Sequence, residues 1–261
     1  MSDGHQYALD EVPVGWVAID GGTHIVKKEQ GILGYDAAGN SATGTPRTSA
    51  LNTITTPKGG RYKVVLPDGT VAWLNAASTL SFPVAFDGKK RTVTLDGEGY
   101  FDVVHKTDAP FVVHLDHSNT DIQVLGTRFD VLAYEDEPIC KTTVLDGSVK
   151  VTAGTGASGT LQKGEQAQAT PDGSIRVVQS DVSQSIAWTN DLIPLNRNIT
   201  DIMRDIARWY DVTVEYQGDV TQRSFAGTLS RDSSLTYVLQ VLEATGSIHF
   251  TADKRRIIVM P

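Results

Sequence analysis

The chain has 261 residues, of which 40% are hydrophobic and 21% are charged, and its formal net charge is −8. The length allows two modest domains, and the composition is typical of a soluble globular protein rather than of a disordered one. The acidic balance lacks the Lys and Arg surplus that binding to phosphate backbones or to anionic membrane surfaces requires. Nucleic acid is therefore not an expected partner.

The first ten residues are polar and do not resemble a signal peptide, and no apolar run approaches the ~20 residues of a membrane span. Two interpretations stay open: a protein that is soluble throughout, or a chain without its N-terminal anchor. The single cysteine, Cys140, cannot form an internal disulfide. It is expected to be a small buried residue rather than a reactive thiol.

The N-terminal region, residues 1–50, is predicted to be a hairpin followed by a loop. Over residues 12–35 apolar residues alternate on both sides of a Gly21-Gly22 pair, which indicates two strands joined by a turn. Residues 36–48 are rich in Ala, Gly, Ser and Thr, a composition typical of surface loops.

Residues 51–185 are predicted to form an antiparallel β domain. Between Arg61 and Val151, short runs of alternating apolar residues are separated by four Asp-Gly pairs, each of which can supply the positive φ that a tight hairpin turn requires. The sheet is expected to be a sandwich, a jelly roll or a solenoid-like stack. The Asp-Gly pairs are Asp68-Gly69, Asp87-Gly88, Asp96-Gly97 and Asp146-Gly147. The predicted strands are 62–66, 71–74, 80–86, 91–95, 100–105, 111–115, 121–124, 128–134, 141–145, 148–152, 161–169 and 175–179.

Residues 186–261 change to a mixed pattern that predicts a small α+β domain in the order βαββαββ. Asn198 is expected to cap the first helix, with Asp201 as its reciprocal partner. An Asp205–Arg208 ion pair is predicted on the exposed side of this helix, where it would contribute only a few tenths of a kcal/mol. Asp232 or Ser233 is expected to cap the second helix, and a hairpin ends the chain. The two helices are predicted to pack on one face of a single sheet.

Few residues have the composition of a catalytic or metal site, and each has a simpler interpretation. His114 and His117 could ligate a metal only if a turn brought them together, because residues three apart point to opposite sides of a strand. Glu98, between two glycines, is better explained as a turn-stabilising carboxylate than as a catalytic one. The acidic run 135–137 is expected to be solvated. We therefore predict no enzyme activity, no catalytic or metal site and no cofactor.

Eight short motifs along the chain, taken in order, are identified as those of the FecR-type anti-sigma factors, in the form common in Bacteroidetes. No single motif is specific, but together they extend from about residue 50 to the end. The helix-bearing tail is also similar to the short N-terminal domain of secretins and TonB-dependent transducers. The motifs lie at residues 56–62, 66–70, 71–78, 97–103, 110–113, 124–131, 142–149 and 202–212.

The resemblance implies a role in signal reception. Proteins of this family are anchored in the inner membrane and hold an extracytoplasmic-function sigma factor through a short cytoplasmic domain. Their periplasmic part senses the signalling domain of a TonB-dependent outer-membrane transducer. Neither the cytoplasmic domain nor the transmembrane helix is present in residues 1–261, so the resemblance assigns sigma binding to none of them.

A strand at Phe225, Ala226, Gly227, Thr228 and Leu229 is the candidate partner-binding edge. An exposed strand can accept a strand from a partner, and Gly227 leaves the backbone open to close approach. Alternatively, Gly227 marks a β-bulge.

Two other functions stay open at this point. A carbohydrate-binding β domain would need a groove with several exposed aromatic residues, and aromatics make up 7% of the chain. A structural secretion component would need to assemble into rings.

Overall fold

The computed structural model describes residues 1, 3–20, 23–29, 31–37, 51–220, 223–246 and 248–261. The predicted Gly21-Gly22 turn and most of the predicted 36–48 loop lie outside these residues.

Contacts within the chain divide it into two compact units. The β unit comprises Met1–Thr56 and Arg61–Val182, and the C-terminal unit comprises Pro57–Gly60 and Ser183–Pro261. The four residues Pro57–Gly60 therefore belong with the C-terminal unit, although both of their chain neighbours belong to the β unit.

Sixteen strands form the described part of the β unit. The first eight are β1 (Val17–Asp20), β2 (Thr23–Glu29), β3 (Ile32–Ala37), β4 (Leu51–Thr55), β5 (Tyr62–Val65), β6 (Val71–Leu74), β7 (Thr79–Pro83) and β8 (Arg91–Asp102). The others are β9 (Phe111–Leu115), β10 (Thr120–Val124), β11 (Arg128–Ala133), β12 (Cys140–Asp146), β13 (Ser148–Ala153), β14 (Ser158–Gln162), β15 (Glu165–Ala169) and β16 (Ile175–Gln179).

These strands pair in two runs that share β8. The longer run has the order β1-β2-β3-β5-β6-β8-β11-β12-β15-β16, and the second run has the order β4-β7-β8-β9-β10-β13-β14. Side chains from both runs are buried in a single apolar cluster, as in a sandwich, because alternate residues of each strand point to the same side. The mainly β fold class is confirmed.

The prediction that two strands lie at 91–95 and 100–105 is wrong, because Arg91–Asp102 is one continuous strand. Its first half pairs with β7 and β9, and its second half pairs with β6 and β11. Gly97 lies at the change of partners with φ +102°, and a Cβ there would lie 2.4 Å from Ser78 Oγ. Glycine is needed to bend the strand here, and Asp96-Gly97 is therefore not a hairpin turn.

The Asp146-Gly147 pair is not a hairpin turn either. It joins β12 to β13, which belong to different runs and do not pair with each other. Gly147, with φ +87°, allows the chain to turn the corner from one run to the other. Asp68-Gly69, by contrast, does close the predicted hairpin between β5 and β6.

The expectation of a purely antiparallel sheet is also wrong. β3 pairs with β5 in parallel, and β8 pairs with β9 in parallel. In both cases the chain crosses over before it pairs, which a parallel pair requires. After β3 it passes through β4 in the second run, and after Asp102 it returns to pair Phe111 with Arg91.

The C-terminal unit has the predicted βαββαββ order. A short helix α1 (Val182–Ser185) and a single 3₁₀ turn (Ala187–Asn190) come before it. The order is then β17 (Leu192–Pro194), α2 (Ile199–Trp209), β18 (Thr213–Tyr216), β19 (Thr228–Ser230), α3 (Leu235–Glu243), β20 (His249–Asp253) and β21 (Arg256–Met260).

These strands form two small sheets rather than the single sheet predicted. β17 pairs with β19, and β21 lies between β18 and β20. The apolar faces of α2 and α3 are buried in a core with residues of both sheets.

The helix caps confirm one sequence prediction and correct another. Asn198 Oδ1 accepts a hydrogen bond from the backbone N–H of Asp201 at 2.9 Å, as predicted. The carboxylate of Asp201, however, pairs with Arg204 on the next turn. The second helix is capped by Ser234, whose hydroxyl accepts from Tyr237 N–H at 3.2 Å, and not by Asp232 or Ser233.

Candidate docking strand

The candidate partner-binding residues lie in and just before β19, at one edge of the two-stranded sheet. The side chain of Phe225 is buried in the core of the C-terminal unit. Ala226, Gly227 and Thr228 are exposed, and Leu229 is half-buried. Of the five residues, Phe225 can therefore hold the strand in place but cannot present its side chain to a partner. We call Ala226–Ser230 the docking strand.

One edge of the docking strand is occupied by the chain around β17. Phe225 N–H donates to Arg197 C=O at 3.1 Å, and Leu195 N–H donates to Gly227 C=O at 2.9 Å. Arg231 N–H donates to Asp191 C=O at 2.8 Å. The odd-numbered residues from 225 to 231 thus direct their backbone groups toward β17.

The opposite edge of the docking strand is open. Backbone groups of successive residues in a strand point to opposite edges, so those of Ala226 and Thr228 point away from β17. Within the part of the chain that the structure describes, no third strand pairs along that edge. An exposed edge of this kind can take up a further strand.

Gly227 does not mark a bulge. The same register of opposed residues holds from the Asp191–Arg231 contact to the isolated bridge between Asn198 and Ser224, with no residue inserted on either side. Gly227 has φ +115°, and nothing lies within 4 Å of the position that a Cβ would take. The side-chain oxygen of Asn196 accepts from its N–H at 2.9 Å and holds this unusual conformation.

An ionic cluster near the docking strand is centred on Asp205 of α2. Its carboxylate pairs with Arg197, which follows β17, and with Arg208, at 3.3 Å, on its own helix. The prediction that the Asp205–Arg208 pair is exposed is wrong, because the side chains retain only 15% and 8% of their accessible surface. Burial raises the pKa of Asp205, but the guanidinium groups of Arg197 and Arg208 outweigh it and hold that pKa below its ordinary value.

The turn that follows the docking strand is bonded to the C-terminal end of α2. The Arg231 guanidinium lies over the Trp209 ring, 4.6 Å from its centroid, and Trp209 Nε1–H donates to Arg231 C=O at 3.0 Å. The Tyr210 hydroxyl donates to Ser233 C=O at 2.7 Å. These contacts and the Arg197–Asp205 pair connect residues that no local motif brings together, whereas the Asp205–Arg208 pair follows from helical spacing.

The other candidates from the sequence do not assemble into a site. His114 contacts Asp121 at 2.7 Å and Asp116 at 3.3 Å, whereas His117 Nε2 lies 3.4 Å from Cys140 Sγ. The two histidines therefore do not converge. Among the described residues there is no group of three or more His, Cys, Asp or Glu side chains placed to hold a metal ion.

Glu98 has a structural role, but it is not the turn-stabilising role that the sequence predicts. It lies within β8, is 5% exposed, and its carboxylate accepts a 2.5 Å hydrogen bond from Asn75 Nδ2. Its backbone N–H donates to Ser78 Oγ at 2.9 Å, and Ser78 Oγ contacts the Tyr134 hydroxyl at 3.2 Å. The carboxylate belongs to a buried polar network that joins three segments of the β unit.

Cys140 is buried, and burial raises its thiol pKa above the ordinary value of 9.0. The thiolate, which is the reactive form, is therefore scarce at pH 8. We expect native protein to react with iodoacetamide at least ~10-fold more slowly than urea-unfolded protein, as followed by intact mass. Equal rates in the two states would show that Cys140 is accessible.

No helix among the described residues is both long and apolar enough to cross a membrane.

Comparison with known proteins finds a family match in each of the two units. Residues 52–150 match the family model described as FecR protein, and residues 195–259 match that described as FecR, C-terminal. The two matches together span more than half of the sequence. No match is found among curated proteins.

Two crystal structures of a provisionally assigned anti-sigma factor from Parabacteroides distasonis, at 1.65 and 2.50 Å resolution, are similar to this chain. The TM-scores are 0.73 and 0.74 at 26% and 27% identity, and each alignment covers 80% of this chain and 98% of the solved one. On the two family matches and this structural likeness, the chain belongs to the FecR family of anti-sigma factors.

Proposed function

We propose that this chain is the periplasmic, signal-receiving part of a transmembrane anti-sigma factor. It binds the signalling domain of a TonB-dependent outer-membrane transducer and so regulates an extracytoplasmic-function sigma factor. The sigma factor is held by a cytoplasmic domain to which none of these residues is assigned. The chain performs no catalysis and uses no cofactor.

The single observation that carries the proposal is the open edge of the docking strand. Ala226 and Thr228 present backbone donors and acceptors to solvent from a strand whose other edge is occupied. A partner strand added there gains main-chain hydrogen bonds, and the side chains on either side supply specificity. The ionic cluster and the Trp209–Arg231 contact hold that edge in place before binding, which lowers the entropic cost of association.

A pull-down from outer-membrane extract of the source cell, with this chain as bait and mass spectrometry as readout, tests the partner. Recovery of a TonB-dependent transducer with an N-terminal signalling domain supports the proposal. A second bait, residues 1–189, lacks the docking strand and is expected to retain no transducer. Retention of a glycan or an unrelated protein, with the transducer present in the extract but unbound, would contradict it.

A proline in the docking strand is expected to weaken transducer binding without unfolding the unit. Thr228→Pro removes an N–H that points away from β17, so the internal pairing of β19 is spared while a partner strand loses a hydrogen bond and meets the ring. We expect affinity for the purified signalling domain to fall at least ~10-fold by calorimetry, the effect of losing one or two backbone bonds at an interface.

The matched control for this variant is Thr228→Ala, which keeps the N–H and removes only the side-chain hydroxyl and methyl. It is expected to bind within about threefold of the wild type, since main-chain bonds carry the affinity. Circular dichroism of both variants checks the fold. Normal binding by a folded Thr228→Pro variant would exclude strand addition at this edge.

A further inference from the structure

The four residues Pro57–Gly60 connect β4 to β5 of the β unit, yet they pack as part of the C-terminal unit. We call them the coupling loop. Because β4 ends at Thr55 and β5 begins at Tyr62, any displacement of the loop acts on both strands through only a few bonds.

The coupling loop is attached to the C-terminal end of α2. Gly59 N–H donates to Arg208 C=O at 2.9 Å and so satisfies one of the carbonyls that the end of a helix leaves without an intrahelical partner. Gly59 has φ +71°, and a Cβ there would lie 3.0 Å from Trp209 C=O. Lys58 adds a half-exposed pair with Asp211 at 3.7 Å. The close approach and the positive φ both require glycine at position 59.

The same turn of α2 holds the far end of the docking strand. Trp209 and Tyr210 contact the turn that follows β19 through the indole N–H, the indole face and the phenol hydroxyl. Residues 208–210 are thus bonded to the turn that follows the docking strand on one side and to the coupling loop on the other.

The residue before the loop is fixed within the β unit. Thr56 is 3% exposed, and its hydroxyl donates to Asn75 C=O at 2.5 Å and accepts from Ser78 N–H at 2.9 Å. Its N–H donates to Ser78 C=O at 2.9 Å. These hydrogen bonds hold Thr56 in place at the start of the coupling loop. A movement of the loop is therefore transmitted to the polar network of Asn75 and Ser78.

We propose that Pro57–Gly60 couples the docking strand to the β unit: a change at β19 shifts residues 208–210, and the coupling loop carries it to β4 and β5. This inference rests on the proposed docking role of β19. The coupling depends on the Gly59–Arg208 hydrogen bond, the positive φ of Gly59 and the Trp209–Arg231 contact. It accounts for the glycine at position 59.

Hydrogen exchange of the full chain, without a partner, tests the coupling from both ends. Tyr210→Phe removes only the hydroxyl that bonds to Ser233, at the docking side. We expect the amide of Gly59 to exchange about fivefold faster in this variant, the factor expected for one ordinary hydrogen bond. The amide of Thr56, which donates to Ser78 C=O within the β unit, is expected to exchange faster as well, and an unchanged Thr56 amide would show that the change does not reach the β unit. Tyr237→Phe is the matched control, because Tyr237 is 52% exposed on α3, and it should leave both amides unchanged.

In the reverse direction, Gly59→Ala is expected to accelerate exchange at the Arg231 amide, since thermodynamic coupling between two sites is reciprocal. Gly88→Ala is the matched control, because Gly88 has φ +84° with nothing within 4 Å of its Cβ position. If Gly59→Ala fails to fold, Lys58→Ala tests the same direction with a smaller change.

The amides of the β20–β21 ladder serve as an internal reference in all variants. Exchange that rises equally there reflects general loosening of the unit and overturns the inference, as does a change confined to the contacts of the substituted residue. Coupled exchange in a chain that fails to bind any transducer would leave the coupling intact and reject the docking role alone.

Discussion

Replacing Arg91 with methionine is expected to lower the free energy of unfolding of the β unit by about 3–5 kcal/mol. The Arg91 side chain is 1% exposed and pairs at 2.7 Å with Asp68, whose side chain is 3% exposed. Its other N–H groups donate to the carbonyls of Ala109 at 2.8 Å, Val104 at 2.8 Å and Leu125 at 3.4 Å. Methionine fills much of the volume but leaves a buried carboxylate and these carbonyls without their donor.

Urea unfolding followed by circular dichroism measures this loss, with Arg128→Met as the matched control. Arg128 pairs with Asp146 at 3.2 Å, but both side chains are more than half exposed. An exposed pair contributes at most about 1 kcal/mol, because water screens it. A similar loss in the two variants would show that burial of the Arg91–Asp68 pair does not decide its contribution.

The double variant Asp68→Leu with Arg91→Met separates the two parts of the effect. Removing both charges abolishes the uncompensated carboxylate, so part of the stability is expected to return. The recovery is incomplete, because Asp68 also accepts hydrogen bonds from Thr70 N–H at 3.0 Å and from its hydroxyl at 2.8 Å. If the double variant is no more stable than Arg91→Met alone, the loss of stability comes from the carbonyls that no longer have a hydrogen-bond donor.

The local elements of the fold could be predicted from the sequence because their causes are local. The Asp68-Gly69 hairpin, the Asn198 cap and the βαββαββ order all depend on neighbouring residues. How the chain passes from one run of strands to the other could not be predicted from neighbouring residues. Asp96-Gly97 and Asp146-Gly147 look like hairpin turns, but one bends a continuous strand and the other turns a corner. The hairpin turn, the bent strand and the corner all require a positive φ at the glycine, so the Asp-Gly pair alone does not distinguish them.

The candidate site shows the same limit. The sequence predicted a strand at Phe225–Leu229, but only the register shows that the backbone groups of Ala226 and Thr228 point away from β17. The spacing of Asp205 and Arg208 predicted an ion pair correctly and its exposure incorrectly, because Arg197, which lies outside the helix, also pairs with Asp205. Burial of a charged pair depends on tertiary contacts, and helical periodicity does not report them.

Replacing Asp205 with asparagine is expected to lower the stability of the C-terminal unit by about 3 kcal/mol at pH 7. Asparagine is nearly isosteric but carries no charge, so Arg197 and Arg208 lose the carboxylate between them and Arg231 loses a nearby negative charge. Urea unfolding followed by tryptophan fluorescence measures the difference. Asp253→Asn, at an exposed position on β20 of the same unit, is the control and should change stability by less than about 0.5 kcal/mol.

The contribution of Asp205 also has a defined pH dependence. Its folded-state pKa lies below the ordinary value of 3.8, so the unfolded state binds the proton more readily. The stabilisation is therefore complete above that ordinary value and is lost as the pH falls through the lower folded-state value. We expect the stability gap between wild type and Asp205→Asn to be constant from pH 7 to 5 and to shrink below 3.8. A gap that stays constant on acidification would show that the carboxylate charge does not stabilise the unit.

The same substitution connects stability to function. Arg197 and Arg231 lie at opposite ends of the segment that pairs β17 with the docking strand, and both face Asp205. Without the carboxylate the docking strand is expected to become more mobile, and a partner must then pay the entropy of ordering it on binding. Asp205→Asn should therefore weaken transducer binding although Asp205 lies on α2 and not on the docking strand. Unchanged affinity in a folded Asp205→Asn variant would show that the edge is held in place without the ionic cluster.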